Sequence, residues 1–240
     1  MYITVRETLG QPPSVQPPDI FNIILIDPEG VFGNLSRLRE QIRSKLEDKF
    51  NNLDKNWLRK ANIRFRVHYR PDMPPRHEKA GFGKFDFPVY LLNKPPDATS
   101  FIANLMAEHG IPKMINNQDI YQIAQQGWKN ENTRGCGIPS GKEFKKVGFI
   151  KTDRVFQGGS RDLLQAFVNV IAHEVGHMGN LYQHSKVGLM KYPLPLSTDI
   201  DFNHNDKYRF LGNLLRLRAL KTTKSFKLPE IMKYQQLFKW

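Results

Sequence analysis

The chain has 240 residues, 40% of them hydrophobic and 25% charged, and a formal net charge of +13. That length allows one large packed domain, and the composition is that of a globular protein rather than a disordered or fibrous one. No run of about 18 apolar residues occurs, so no transmembrane helix is expected, and the single cysteine excludes an intramolecular disulfide.

The first residues, Met1-Tyr2-Ile3-Thr4-Val5-Arg6-Glu7, lack the basic start and apolar stretch of a secretory signal. This points to a cytoplasmic protein or one exported by another route, an injected effector included. Residues 1–19 contain Pro12-Pro13 and Pro17-Pro18 and read as an extended arm. Residues 20–240 read as a single domain. Ile20 to Ile26 is a nearly continuous apolar run, which suits a strand buried on both faces. Asn34 is placed to cap a helix running to about Leu53, with Leu35, Leu38, Ile42, Leu46 and Leu53 as its apolar stripe. Its other positions, Lys49 among them, read as a solvated face.

Asn62 to Tyr69 alternates strictly, with Ile63, Phe65, Val67 and Tyr69 on one side and Asn62, Arg64, Arg66 and His68 on the other. This predicts a half-buried strand with a basic outer strip. Pro71 to Gly83 reads as loop. Phe87 to Leu92 reads as a strand, with Pro88 confining it to an edge or a strand start. Asn93 to Asp97 reads as a turn, followed by helices over Thr99–His109 and Asp119–Trp128. Lys129 to Lys142 is glycine-rich and reads as loop, Lys146 to Phe156 as a strand bent at Gly148, and Ser160 as the cap of the next helix. A C-terminal helix is expected from Asp206 to about Lys221, with Phe210, Leu214, Leu217 and Leu220 inward.

The chemistry concentrates between residues 160 and 192. His173 and His177 are four apart, so on a helix they share one face. Two imidazoles so placed can bind one zinc ion at about 2.0–2.1 Å each. Glu174, beside the first, is placed to take the proton of an attacking water. Gly179 and Asn180 favour the left-handed conformation that ends a helix. A turn there can bring His184 back as a third ligand. Val187 to Tyr192 forms a second element, with Met190 and Tyr192 in it.

These residues resemble the metzincin clan of zinc peptidases, whose pattern is HExxHxxGxxH followed by a turn with a methionine under the metal. Met190 matches the turn methionine, and Tyr192 the tyrosine that the astacin and serralysin groups place beside the zinc. The family's glycine position holds Asn180, with Gly179 one residue earlier. The third-histidine position holds Gln183, with His184 one residue later, so either residue is a candidate ligand. Imidazole is the commoner choice.

The resemblance implies an α/β (α+β), zincin-like catalytic domain with a twisted mixed sheet and an active-site helix. It implies an upper lobe over 20–179, a smaller lower lobe over 180–240, and an extended protein or peptide substrate between them. It also implies one catalytic Zn²⁺ held by His173, His177 and His184, with Glu174 as general base and Tyr192 as an oxyanion donor or resting ligand. Arg134 to Pro139, with Cys136, faintly resembles the cysteine-switch segment of matrix metalloprotease pro-regions. Two alternatives come from other classes. The charge and the strip Arg64, Arg66, His68 suit a nucleic-acid-associated protein or an acidic partner. A non-catalytic binding module would instead close its zinc with four protein ligands.

Overall fold

The computed structural model describes residues 17–93, 98–115, 117–138, 145–158 and 162–219. The chain is a mixed α/β fold with eight helices and a five-stranded, mostly parallel mixed sheet among the described residues. Strand β1 (Asp19–Ile26) leads through helices α1 (Ser36–Asn51) and α2 (Lys55–Ala61) to β2 (Ile63–Arg70), and the crossover makes the two strands parallel. Helix α3 (Arg76–Gly81), β3 (Asp86–Leu92) and α4 (Ala98–Glu108) follow. A small hairpin, β4 (Met114–Ile115) and β5 (Gln118–Asp119), precedes α5 (Ile120–Lys129). Then come β6 (Gly135–Ile138), β7 (Val147–Lys151), α6 (Thr152–Gln157), α7 (Leu163–Met178) and α8 (His204–Ala219). The sheet order is β2-β1-β3-β7-β6, parallel except for β6, which runs antiparallel to β7 at one edge.

Strand alternation divides the core in two. Phe87, Val89 and Leu91 of β3 join Ile42, Leu46 and Phe50 of α1 and the apolar side of α7. Tyr90 and Leu92, one residue out of step, join Phe149 of β7 and the packing side of α4 and α5. Burial on both faces is why β3 is a continuous apolar run. On β2 the strict alternation holds: Ile63, Phe65 and Val67 are buried while Arg64, Arg66 and His68 are exposed. No helix among the described residues is long and apolar enough to cross a membrane.

Several local expectations are corrected. The first helix has Leu35, not Asn34, at its N-cap, without a side-chain cap bond, and Leu35 is exposed. Lys49, read as solvated, is buried beside Phe50. Helix α2 was not legible as such; Asp54 caps it by accepting from the Trp57 N–H at 2.9 Å. Helix α3 occupies part of a segment that reads as loop. Of the two places expected for Pro88, the edge is excluded, since β3 is central, and the strand start holds: Pro88 is the third residue of β3, just before the β7 ladder that begins at Val89. The strand expected over 146–156 ends at Lys151 and continues as α6. Its Gly148 makes room for Met178, whose sulfur would stand 2.9 Å from an added Cβ. The long glycine-rich loop contains β6. Asp162 caps α7 by accepting from the Gln165 N–H at 2.9 Å, and Ser160 lies outside the described residues, as do residues 1–16 of the N-terminal arm, residues 94–97 of the expected turn and Leu220.

Candidate metal centre

Helix α7 is buried along nearly its whole length, with Phe167, Ile171 and Val175 inaccessible to solvent. It sits under the sheet and holds His173 and His177 one turn apart. The helix stops at Gly179, which has ordinary dihedrals; Asn180 alone takes the left-handed conformation, at φ 69°. Gly179 serves a different need. A Cβ there would meet the Phe210 ring at 2.3 Å, so glycine lets α8 close on the end of α7.

The reversal returns His184 to the helix. The ligand atoms of His173, His177 and His184 lie within 4.8 Å of one another, and this three-histidine group can hold a metal ion. The His184 ring stacks on that of His173 at 5.2 Å and meets His177 edge-on at 5.1 Å. His173 is buried and His184 exposed, so the group opens to solvent on the loop side. Gln183 is also exposed.

Hydrogen bonds fix which nitrogens are free. His173 Nδ1 lies 2.7 Å from the Leu189 carbonyl oxygen, and His177 Nδ1 lies 2.6 Å from that of Leu181. A carbonyl only accepts, so each Nδ1 carries the proton and each neutral Nε2 presents a lone pair. The two Nε2 atoms face each other at 3.1 Å. Burial pushes both imidazoles down, His173 to about 3 and His177 to about 4, which disfavours a proton between them. Two lone pairs held face to face are stabilised by a cation. Two donors about 2.0–2.1 Å from one tetrahedral ion stand about 3.3 Å apart, close to the separation present. The donor set therefore fits zinc. Backbone carbonyls on Nδ1 are also the outer partners that orient metal-binding imidazoles.

Glu174, next to His173 on the helix, projects against β6. Its carboxylate accepts from the Gly137 N–H, yet burial dominates and raises its pKa to about 8. A Cβ on Gly135 would lie 2.7 Å from Glu174 Oε1, and one on Gly137 would lie 2.3 Å from the Glu174 carbonyl oxygen and 2.9 Å from His177 Cβ. The glycines of β6 thus let the strand lie close across the helix, Gly137 against backbone and Gly135 against the Glu174 side chain. Sequence reading missed this role, although paired glycines at strand spacing are the signal of a close backbone approach.

Met190 is fully buried, and its sulfur would stand 2.6 Å from a Cβ on Gly176, so it packs against the backbone between the two helix histidines. Tyr192 is exposed, with its ring 5.2 Å from that of His184. Cys136 alternates away from the helix: its sulfur is 3.8 Å from a Cβ position on Gly127, and it packs with the α4/α5 cluster. Burial raises its thiol to about 12, which leaves the neutral form rather than the thiolate a zinc cap needs. Comparison with protein-family models and with curated proteins returns no match for this chain.

Proposed function

We propose that the protein is a zinc-dependent endopeptidase of metzincin-like design. The observation that carries the reading is the three-histidine group with two Nε2 lone pairs aimed at one point and a buried carboxylate on the adjoining residue. In this reading residues 20–179 form an upper lobe, residues 180–240 a smaller lower one, and the substrate lies between them. His173, His177 and His184 hold the zinc. When bound, the ion supplies Lewis-acid polarisation of a carbonyl and a water acidified toward neutrality. Glu174, raised to about 8 by burial, would be drawn back toward its carboxylate form beside a bound dication. Glu174 accepts the proton of the attacking water and returns it to the leaving amine. Tyr192, exposed beside His184, donates to the developing oxyanion, and Met190 gives an apolar floor.

Among the described residues the group has three members rather than the four that close a structural zinc, which supports a catalytic reading over a binding module. The test is zinc content by elemental analysis together with cleavage of a peptide library. Wild type should carry one zinc and cleave. His184→Ala should lose or weaken the metal, and Gln183→Ala should keep it. Glu174→Ala should keep zinc and lose cleavage, and a Glu174→Ala enzyme that still cleaves would overturn the mechanism. A second reading draws on Arg64, Arg66 and His68, exposed together on β2. It predicts binding to nucleic acid that weakens steeply with salt, and salt-insensitive or absent binding removes it.

A further inference from the structure

We propose that Lys49, on helix α1, is a positioning residue for the metal centre, acting through the loop that carries Leu189. The inference rests on the three-histidine group being a metal site. Lys49 begins from an anomaly: its side chain is only 4% exposed, in a helix turn otherwise given to Leu46 and Phe50. Lysine is almost never buried unless paired. Here all three ammonium donors are used, on Asp199 Oδ1 at 2.9 Å, Asp201 Oδ1 at 2.8 Å and the Ile200 carbonyl at 2.8 Å. The two aspartates come from a loop and are themselves largely exposed, at 60% and 77%. Their carboxylates are not needed to solubilise a surface already rich in charge. They are turned inward to one cation. The ammonium holds the Asp199 carboxyl below its ordinary range.

From that clamp a short run of hydrogen bonds reaches the site. The Asp201 carbonyl accepts from the Leu189 N–H at 2.8 Å. The Leu189 carbonyl in turn faces His173 Nδ1 at 2.7 Å. The placement of the Leu189 backbone, held at its N–H, therefore bears on both the tautomer and the ring orientation of His173 through its carbonyl. Helix α7 grips the same loop from its own side, through Asn169 to the carbonyls of Pro195 and Thr198. Asp206 of α8 holds the same loop by accepting from Ser185 Oγ and Asn203 Nδ2, so Lys49 is one of two holds from outside the ligand helix, and the one next to Asp201. Gly188 tightens the junction: it sits at φ 77°, and a Cβ there would meet Asn203 N at 2.7 Å. No other side chain could reach the three acceptors as a compact point charge; an arginine fork is too wide to replace it fully.

The experiment uses the full chain and three variants: Lys49→Met, which keeps the stem and removes the donors; Asp201→Asn, an exposed position that weakens the same link; and Ile42→Val, a core truncation in the same helix. Side-chain ¹⁵N spectra of the metal-free protein read the His173 tautomer directly. Wild type and Ile42→Val should show the Nδ1-protonated form, and Lys49→Met a mixture, with Asp201→Asn between. In parallel, Co²⁺ titration read by its visible absorption should give about tenfold weaker binding for Lys49→Met and no change for Ile42→Val. Lys49→Arg should recover part of the loss. Identical His173 spectra in wild type, Lys49→Met and Asp201→Asn overturn the proposal. So does a loss in Ile42→Val as large as in Lys49→Met, because the effect would then follow stability alone. Wild type that binds no Co²⁺ counts against the metal-site reading, while the metal-free spectra still decide the role of Lys49.

Discussion

Two buried imidazoles in this molecule differ in what surrounds them rather than in how deeply they lie. His109, at the end of α4, is 1% exposed, and His173, in α7, is 5% exposed. Burial drives both down to about 3. His109 nevertheless has a partner that can share a proton: its Nε2 lies 2.8 Å from the Tyr90 hydroxyl, and Phe82 stacks flat on its ring at 5.3 Å. A hydroxyl can donate or accept, so that pair satisfies itself as neutral groups. His173 spends Nδ1 on a carbonyl and turns Nε2 toward another imidazole in the same state. Burial alone makes an inert histidine. Convergence of lone pairs between which burial disfavours a proton makes a candidate site.

The largest expected effect separates the two imidazoles by metal. Zinc at about 1,000 times its Kd should stabilise wild type by about 4 kcal/mol, so chelation should lower Tm by roughly 10 °C at this chain length. His173→Ala and His177→Ala should abolish the metal-dependent part of Tm. His109→Ala should lower the baseline through its cavity while leaving the metal increment intact. Differential scanning fluorimetry with and without chelator measures all four proteins. A metal increment that survives His177→Ala would dissolve the distinction drawn between the two histidines.

Glycines sharpen the same contrast. Gly137→Ala drives a methyl toward the Glu174 carbonyl and His177 Cβ, both backbone-fixed or nearly so. Relief requires β6 to move off α7, at a cost of about 3 kcal/mol and with weaker metal binding. Gly127, in α5 on the His109 side, has only the Cys136 sulfur near, at 3.8 Å. Gly127→Ala should therefore stabilise the protein by about 0.4–1 kcal/mol through helix propensity and unfolded-state entropy. Urea midpoints of the two variants moving the same way would show that β6 is not pressed on the helix.

Much of this was readable from the chain. Period-two alternation marked β2 because one of its faces meets water, and the histidine spacing put His173 and His177 on one face of α7 because a helix turn repeats after four residues. His184 was reachable because Asn180 predicts a reversal. Other features resisted for physical reasons. Gly135-Cys136-Gly137 looks like a flexible loop, since the residue that permits close approach is also the one that permits disorder. Lys49 looks solvated, since its three acceptors lie some 150 positions away in the chain. Helix α2 is short and depends on the Asp54 cap more than on any apolar stripe. Pro88 left edge and strand start open because both spare its missing N–H; the chain alone does not say that β3 is central and that the β7 ladder begins just after it.

The smallest effect belongs to His109 and is read through pH. Its folded value near 3 lies below the 6.5 of an unfolded histidine, with burial as the main cause and the charges of Lys79 and Lys145 adding to it. Between those two values the unfolded chain binds a proton that the folded protein does not. The stability from this group is therefore complete above pH 6.5 and is lost as pH falls toward 3. His173 and His177 contribute in the same direction in metal-free protein, so the test is a difference between variants. His109→Phe leaves the Tyr90 hydroxyl without its partner and should cost about 1 kcal/mol at neutral pH. Removing both partners, in His109→Phe with Tyr90→Phe, should return most of that loss, because a matched apolar pair leaves nothing unsatisfied. Both variants should show a shallower fall in urea midpoint from pH 6.5 to 4 than wild type. Parallel acid profiles for all three proteins would place the acid response in groups other than His109, and would leave His109 protonated or exposed in a way its stacking against Phe82 does not allow.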